Sequence, residues 1–250
     1  MSPSRRSSRR TFKRPGTSTL PRFLSLGDAA LTIELGEEID DRTHARVIAL
    51  TEAIGRRGWA GVLDVVPTYR SLTVHVDPLR LDLSTLTSRL RRLRVPDSDA
   101  RACTSTRHTI PVLYGGEWGP DLADVAAWAN LSIEETIGAH AAVEYRVYML
   151  GFIPGFPYLG RVPGRLAMPR LATPRLVVPA GSVGIAEQQT GIYPAATPGG
   201  WRIVGRTPIP LVRRTSAHPF LFNPGDRVTL RPIGRGEFDH LRHEFDAQHD

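Results

Sequence analysis

Residues 145–207 read YRVYMLGFIPGFPYLGRVPGRLAMPRLATPRLVVPAGSVGIAEQQTGIYPAATPGGWRIVGRT, and this stretch decides the fold. Glycine and proline recur between short apolar pieces, and no helical period runs through them. Glycine supplies backbone conformations closed to other residues, and proline fixes φ and removes a donor. A long run of both predicts short strands joined by tight turns, in a small barrel or sandwich with a rigid, loop-lined face.

Two loops in the stretch share a design. Gly151 to Gly160 is too glycine-punctuated for a helix, and Pro154-Gly155-Phe156-Pro157 makes a stiff loop whose amides are expected to face outward, as a carboxylate or other anion requires. Its aromatics, Phe152, Phe156 and Tyr158, equally suit a core. Pro179-Ala180-Gly181-Ser182-Val183-Gly184 repeats the pattern after a strand at 175–178. Gln188, Gln189, Thr190, Tyr193 and Trp201 add amide, hydroxyl and indole groups, a lining suited to a small polar molecule.

Upstream, His108 to Tyr114 reads as a strand, with a short helix from Asp121 to Ala129. Ser132-Ile133-Glu134-Glu135 has capping-box spacing and opens a helix to about Ala139. His140 follows directly. It either places a cation against the helix dipole or projects into a site formed by the next strand. Downstream, Asn223-Pro224-Gly225-Asp226 turns into a strand at 227–231, and a closing helix runs from Glu237 to Phe245.

Residues 22–93 have a different texture. Strands at 23–26 and 30–35 flank a Gly27-Asp28 turn. Ile39, Val47, Leu50 and Ile54 share a helical face between Asp40 and Arg57, and Gly58 ends that helix. Strands at 61–66 and 71–76 follow, then a helix at 83–93 with Leu86, Leu90 and Leu93 inward. The order β-β-α-β-β-α predicts a compact α+β domain with helices on one face of an antiparallel sheet. His44 and His75 are read as structural or surface residues. The polar, aperiodic residues 94–107 are the predicted linker, giving a 1–21 tail, a 22–93 domain and a 108–246 barrel domain.

The formal charge is +7. Arg5, Arg6, Arg9, Arg10, Lys13, Arg14 and Arg22 precede or open the body, and no acid occurs before Asp28. The remaining 25 basic residues equal the 25 acidic ones, so no nucleic-acid-binding face is expected. Ser8-Arg9-Arg10-Thr11-Phe12-Lys13 resembles a twin-arginine export signal but lacks the apolar region behind it. The tail is expected to be disordered.

Cys103 is the single cysteine and is read as a passive thiol, which excludes an internal disulfide or a CxxC site and fits a reducing compartment. Lys13 is the single lysine, so the body has no Schiff-base lysine and no Walker-type loop. No GxSxG elbow, HxxxH pair or paired-carboxylate cluster occurs. No apolar run approaches the roughly 20 residues of a membrane span. A cytoplasmic protein without metal in this chain is expected.

The blocks GFIPGFPYLG, PRLATPRLVVPAGSVGIA, QTGIYPAATPGGWRIVGRTP and PGDRV resemble the KipI-like family, that of the B subunit of 5-oxoprolinase, also called allophanate hydrolase subunit 1. GDAALTIELG, PTYRSLTVHVDP and IPVLYGGEWGPDL extend the likeness to about residues 22–233. The resemblance implies an α/β N-terminal domain followed by a mainly-β, cyclophilin-like barrel. It implies two partner chains, a KipA-like C subunit and a LamB/YcsF-like A subunit, the three together opening 5-oxoproline to glutamate with ATP that this chain alone is not expected to bind. Other family activities are inhibition of a sensor histidine kinase and membership of a urea- or allophanate-processing carboxyltransferase.

On that reading Gly155, Gly181 and Ser182 present donors to a carboxylate or acyl-phosphate oxygen. Gln189, Thr190 and Tyr193 orient the amide, His140 transfers a proton, and Arg170 or Arg206 neutralises an anion. Pro154, Phe156, Tyr158, Pro179, Ala180 and Trp201 complete the expected lining, with packing as the alternative for the Gly, Pro and Trp positions. Two residues depart from the family pattern, Arg161 after YLG and Glu187 in the IAE segment. Each either brings a charge to the pocket or lies on the surface.

Overall fold

The structure is a computed structural model that describes residues 20–93, 105–213 and 218–247. The basic tail, most of the expected linker and Cys103 lie outside the described residues.

Strands β1 (Arg22–Leu26) and β2 (Ala30–Glu34) form a hairpin, and β3 (Val62–Pro67) and β4 (Ser71–Val76) complete an antiparallel sheet in the order β1-β2-β4-β3. Leu31 and Ile33 alternate with Thr32 and Glu34, so only one face of β2 is apolar. That face, with Leu72, Val74 and Val76 of β4, meets Val47 and Ile54 of α1 (Asp41–Arg57) and Leu86 and Leu90 of α2 (Leu83–Arg92). Local chemistry fixes the ends of α1. Asp40 accepts from the Thr43 amide at 2.8 Å, and Gly58 stops the helix with φ 53°.

The remainder is a closed barrel of seven strands in the order β10-β7-β6-β13-β5-β12-β9. Its members are β5 (Arg107–Tyr114), β6 (Glu144–Leu150), β7 (Pro157–Arg161), β9 (Ser182–Ala186), β10 (Gln189–Ile192), β12 (Arg202–Arg206) and β13 (Arg227–Pro232). Only β13 and β5 pair in parallel. Closure leaves no open strand edge. Val112, Val147, Leu159, Val183, Ile185 and Val204 fill the interior. β8 (Arg175–Val178) and β11 (Thr197–Gly199) form a two-stranded ribbon beside it.

Helix α3 (Leu122–Ala129) ends on a left-handed Asn130, and α4 (Ile133–Ala141) begins with the expected capping box. The Ser132 hydroxyl accepts from the Glu135 amide at 3.1 Å, while Glu135 accepts from the Ser132 amide at 2.8 Å. Helix α5 (Arg235–Ala247) closes the described chain. Among the described residues no helix is long and apolar enough to cross a membrane.

The sheet unit and the barrel touch through a polar seam. His44 of α1 is fully buried and its Nε2 donates to the Tyr148 carbonyl at 2.7 Å. That leaves Nδ1 as the acceptor facing the Arg146 guanidinium at 3.4 Å. Asp41, one turn earlier, accepts from the Tyr148 hydroxyl and lies near the Arg146 and Arg227 guanidinia. Burial pushes the His44 imidazole down to about 4, so it is neutral at physiological pH.

Candidate functional site

The richest concentration of expected site residues is an aromatic recess on the barrel surface. Phe156 is its hub. Its ring meets Tyr158, Tyr193 and Trp201 edge to face, with centroids 5.0, 5.1 and 5.4 Å away. Phe152, in a left-handed conformation at φ 67°, stands 5.8 Å from Phe156 and is largely exposed. The recess encloses about 250 Å³, and Arg170 reaches over its edge with the guanidinium 5.9 Å from the Trp201 ring. Burial raises the Tyr158 and Tyr193 phenols, which stay protonated. The wall is therefore apolar and aromatic, with one cation and hydroxyl donors.

The β8–β11 ribbon runs alongside, and its Leu176 and Val177 are 86% and 63% exposed. Asp121, itself buried, ties the ribbon down. It takes a 2.7 Å bond from Arg175 of β8 and a 2.6 Å bond from the Ile203 amide of β12.

The other expected residues lie elsewhere. His140 is 1% exposed, inside the barrel core, and the expected proton-transfer role does not fit that placement. Thr190 donates its hydroxyl proton to the Gly184 carbonyl at 2.9 Å, so it accepts from His140 Nε2–H at 3.0 Å. His140 Nδ1 must then accept from the Tyr114 hydroxyl at 2.9 Å. Desolvation pushes His140 down to about 3, so it is not a cation against the helix dipole either. The chain Tyr114–His140–Thr190–Gly184 is a satisfied polar thread through an apolar interior. Thr190→Val should leave the imidazole N–H unpaired and cost about 1–3 kcal/mol. Urea denaturation should show a lower midpoint at unchanged slope; an unchanged midpoint would contradict the thread.

The second glycine loop also turns inward. The Gly181 amide donates to the Tyr193 carbonyl at 2.7 Å and the Ser182 amide to the Pro179 carbonyl at 3.3 Å, so neither is a spare donor for an anion. Ser182 is 2% exposed. Gly155 is buried, and a Cβ there would meet the Val212 side chain at 2.5 Å, so its role is close packing. Pro154 and Pro179 are exposed. Ala180 accepts from Arg206 Nε at 2.7 Å, and both line a separate cleft of about 320 Å³ under α5. There the Arg206 guanidinium lies 5.2 Å from the Trp118 ring.

Gln189 belongs to a third place, a groove of about 490 Å³ between barrel and sheet unit that the sequence did not reveal. Tyr69, Trp128 and Tyr148 line it, as do Arg161 and Glu187, the two residues that depart from the family pattern. Both charges are exposed, and both are at a cavity. That departure was the available signal; the contributions of Tyr69 and Trp128 left no sequence trace.

Fold and recess together define a mixed α/β protein built on a seven-stranded barrel with an aromatic recess beside it. The chain belongs to the family described as the carboxyltransferase domain, subdomains C and D, which its residues 21–222 match. It is 40% identical over 233 residues to the B subunit of the 5-oxoprolinase of Bacillus subtilis (strain 168), covering 88% of this chain and 95% of that protein. It is 42% identical over 212 residues to the B subunit of the 5-oxoprolinase of Escherichia coli O157:H7, covering 84% and 95%. Among solved structures, that of TTHA0988 is similar at a TM-score of 0.74 and 38% identity. That likeness covers 83% of this chain, which spans about 40% of the TTHA0988 chain.

Proposed function

We propose that this chain is the B subunit of an ATP-dependent 5-oxoprolinase, which opens the lactam of 5-oxoproline to glutamate. It works with a KipA-like partner and a LamB/YcsF-like partner and is inactive alone. The observation that carries the reading is the likeness, along nearly the whole length of both chains, to proteins named as the B subunit of 5-oxoprolinase.

The site chemistry agrees. The chain's single lysine is Lys13 in the tail, so the β- and γ-phosphates of ATP fall to another chain. The histidine within the barrel is neutral and enclosed, so the proton transfers of lactam opening also fall to a partner's residues. The recess supplies apolar walls and Arg170, and the exposed ribbon beside it supplies a surface for the KipA-like partner. Residues 22–93 and 108–246 are proposed as separate domains, the second of cyclophilin-like type, joined by the polar seam at His44. Such a barrel carries no prolyl isomerase activity by virtue of its fold.

Co-expression with candidates for the two partner chains tests the assembly. A tag on this chain should retain the KipA-like chain at one-to-one stoichiometry, and Leu176→Asp with Val177→Asp should abolish retention without changing the thermal midpoint. Retention unaffected by that pair of charges would contradict the ribbon as the docking surface. Inhibition of a purified histidine kinase, with neither partner chain retained, would favour the regulatory reading.

A further inference from the structure

The cleft under α5, about 320 Å³, has a chemistry that the proposed complex leaves unused. The run Pro208-Ile209-Pro210-Leu211 lines one stretch of it, and Phe238 and Phe245 of α5 line another. Two arginines, Arg206 of β12 and Arg242 of α5, stand on the same cleft, and no carboxylate lines it among the described residues. Arg206 is held in place. Its Nε donates to the Ala180 carbonyl at 2.7 Å, and its guanidinium lies 5.2 Å from the Trp118 ring. The N–H bonds of its two outer nitrogens, Nη1 and Nη2, have no acceptor among the described residues. Burial lowers the Arg206 guanidinium and the field of Arg242 lowers it further, with no acid offsetting either. An arginine keeps its charge through such a shift.

Thr207, 3% exposed, lines the same cleft. Its hydroxyl oxygen accepts from the Ile209 amide at 3.2 Å, and its proton has no acceptor among the described residues. The amides of this wall are spent inside the protein. Gly181 donates to the Tyr193 carbonyl at 2.7 Å, Thr207 to the Gly181 carbonyl at 2.9 Å, and Ile209 to the Thr207 hydroxyl. A phosphate is held by several free amides together, so the cleft is not built for one. What remains is a planar fork beside an apolar wall, and the two outer nitrogens of such a fork match the two oxygens of a carboxylate. The volume is at the lower end of the small-molecule range.

We infer that this cleft binds a small apolar carboxylic acid with a single charged end, of the arylacetate or medium-chain aliphatic type. The carboxylate sits on Nη1 and Nη2 of Arg206, with the Thr207 hydroxyl as a third donor. The hydrocarbon lies between the Pro208–Leu211 run and Phe238. A free amino acid does not fit, because no carboxylate lines the cleft to meet its ammonium group. The ligand is thus neither substrate nor product of the proposed reaction, and the inference does not rest on that reading.

Calorimetric titration of the full-length chain with phenylacetate tests it. Phenylacetate should bind, and 2-phenylethanol, which has the same ring but no charge, should bind at least about 10-fold more weakly. Phenethylamine and inorganic phosphate should not compete with it, and saturating 5-oxoproline should leave its isotherm unchanged. Arg206→Gln should weaken binding about 10- to 100-fold, the loss of a charge-assisted pair. Thr207→Val, which keeps the side-chain shape, should weaken it about 3- to 10-fold. Arg170→Ala, at the aromatic recess, should change nothing. The comparison of acid with alcohol uses the unaltered protein, so a variant that fails to fold does not remove the test. Absence of phenylacetate binding, equal binding of 2-phenylethanol, or binding lost in Arg170→Ala and kept in Arg206→Gln overturns the proposal. Each of these outcomes leaves the 5-oxoprolinase reading to be judged separately by activity of the assembled complex.

Discussion

Gly181→Ala should destabilise the protein by about 3–5 kcal/mol, the combined cost of left-handed strain and overpacking. Gly181 has φ +80°, and a Cβ built on it would lie 2.4 Å from the Thr207 carbonyl oxygen. Neither partner can move freely. The Thr207 amide donates back to the Gly181 carbonyl at 2.9 Å, and the Gly181 amide is bonded to Tyr193. The change therefore presses on a turn bonded on both sides, beside the aromatic recess. Because a domain's whole stability is about 5–15 kcal/mol, the variant should unfold at markedly lower denaturant or accumulate poorly. A Gly181→Ala protein with a wild-type unfolding midpoint would show that the loop is not packed as described.

Acid should unfold the protein well above the pH at which its carboxylates protonate. His44 and His140 are lowered from an ordinary 6.5 to about 4 and about 3. Their folded forms refuse a proton that the unfolded chain accepts. The stability linked to each is complete above about 6.5 and falls as pH drops from there to its folded value. Between pH 7 and pH 4 each contributes a loss on the order of 3 kcal/mol. For His44 the charged neighbours are Arg146 and Arg227, which oppose protonation, and Asp41, which favours it, while burial is the largest cause. For His140 burial is the cause, among Tyr114, Tyr145 and Thr190. Denaturant unfolding measured from pH 7 to pH 4 should show stability falling steadily. Stability unchanged across that interval would contradict the buried, neutral state of both imidazoles.

The two histidines also show where sequence reading stops. The ends of α1 and α4 were legible because their determinants lie within a few residues, Asp40 with Thr43 and Ser132 with Glu135. The strands of the sheet unit, with β5, β8 and β13, were legible because turn residues bound them and apolar residues alternate within them, whereas β7 and β9 begin inside segments read as stiff loops and β10, β11 and β12 were given no bounds. His140 was correctly placed at a helix end, but which way that end faces depends on packing against β5 and β10. Its partners, Tyr114 and Thr190, are 26 and 50 residues away. Gly181 and Ser182 looked like free donors, yet carbonyls of the folded loop consume both amides, and the one on Tyr193 is met only when β10 packs alongside. The aromatic recess was legible in outline, since Phe156, Tyr158, Tyr193 and Trp201 share one stretch. The groove was not, because Gln189 and Tyr69 meet across 120 residues.

The central claim is that this chain is an indispensable part of a multi-chain 5-oxoprolinase. Glutamate released from 5-oxoproline in the presence of ATP, with the KipA-like and LamB/YcsF-like chains supplied and this chain included or left out, tests it most directly. Release should occur only when all three chains and ATP are present, with none from this chain alone. Equal release with this chain omitted would contradict it.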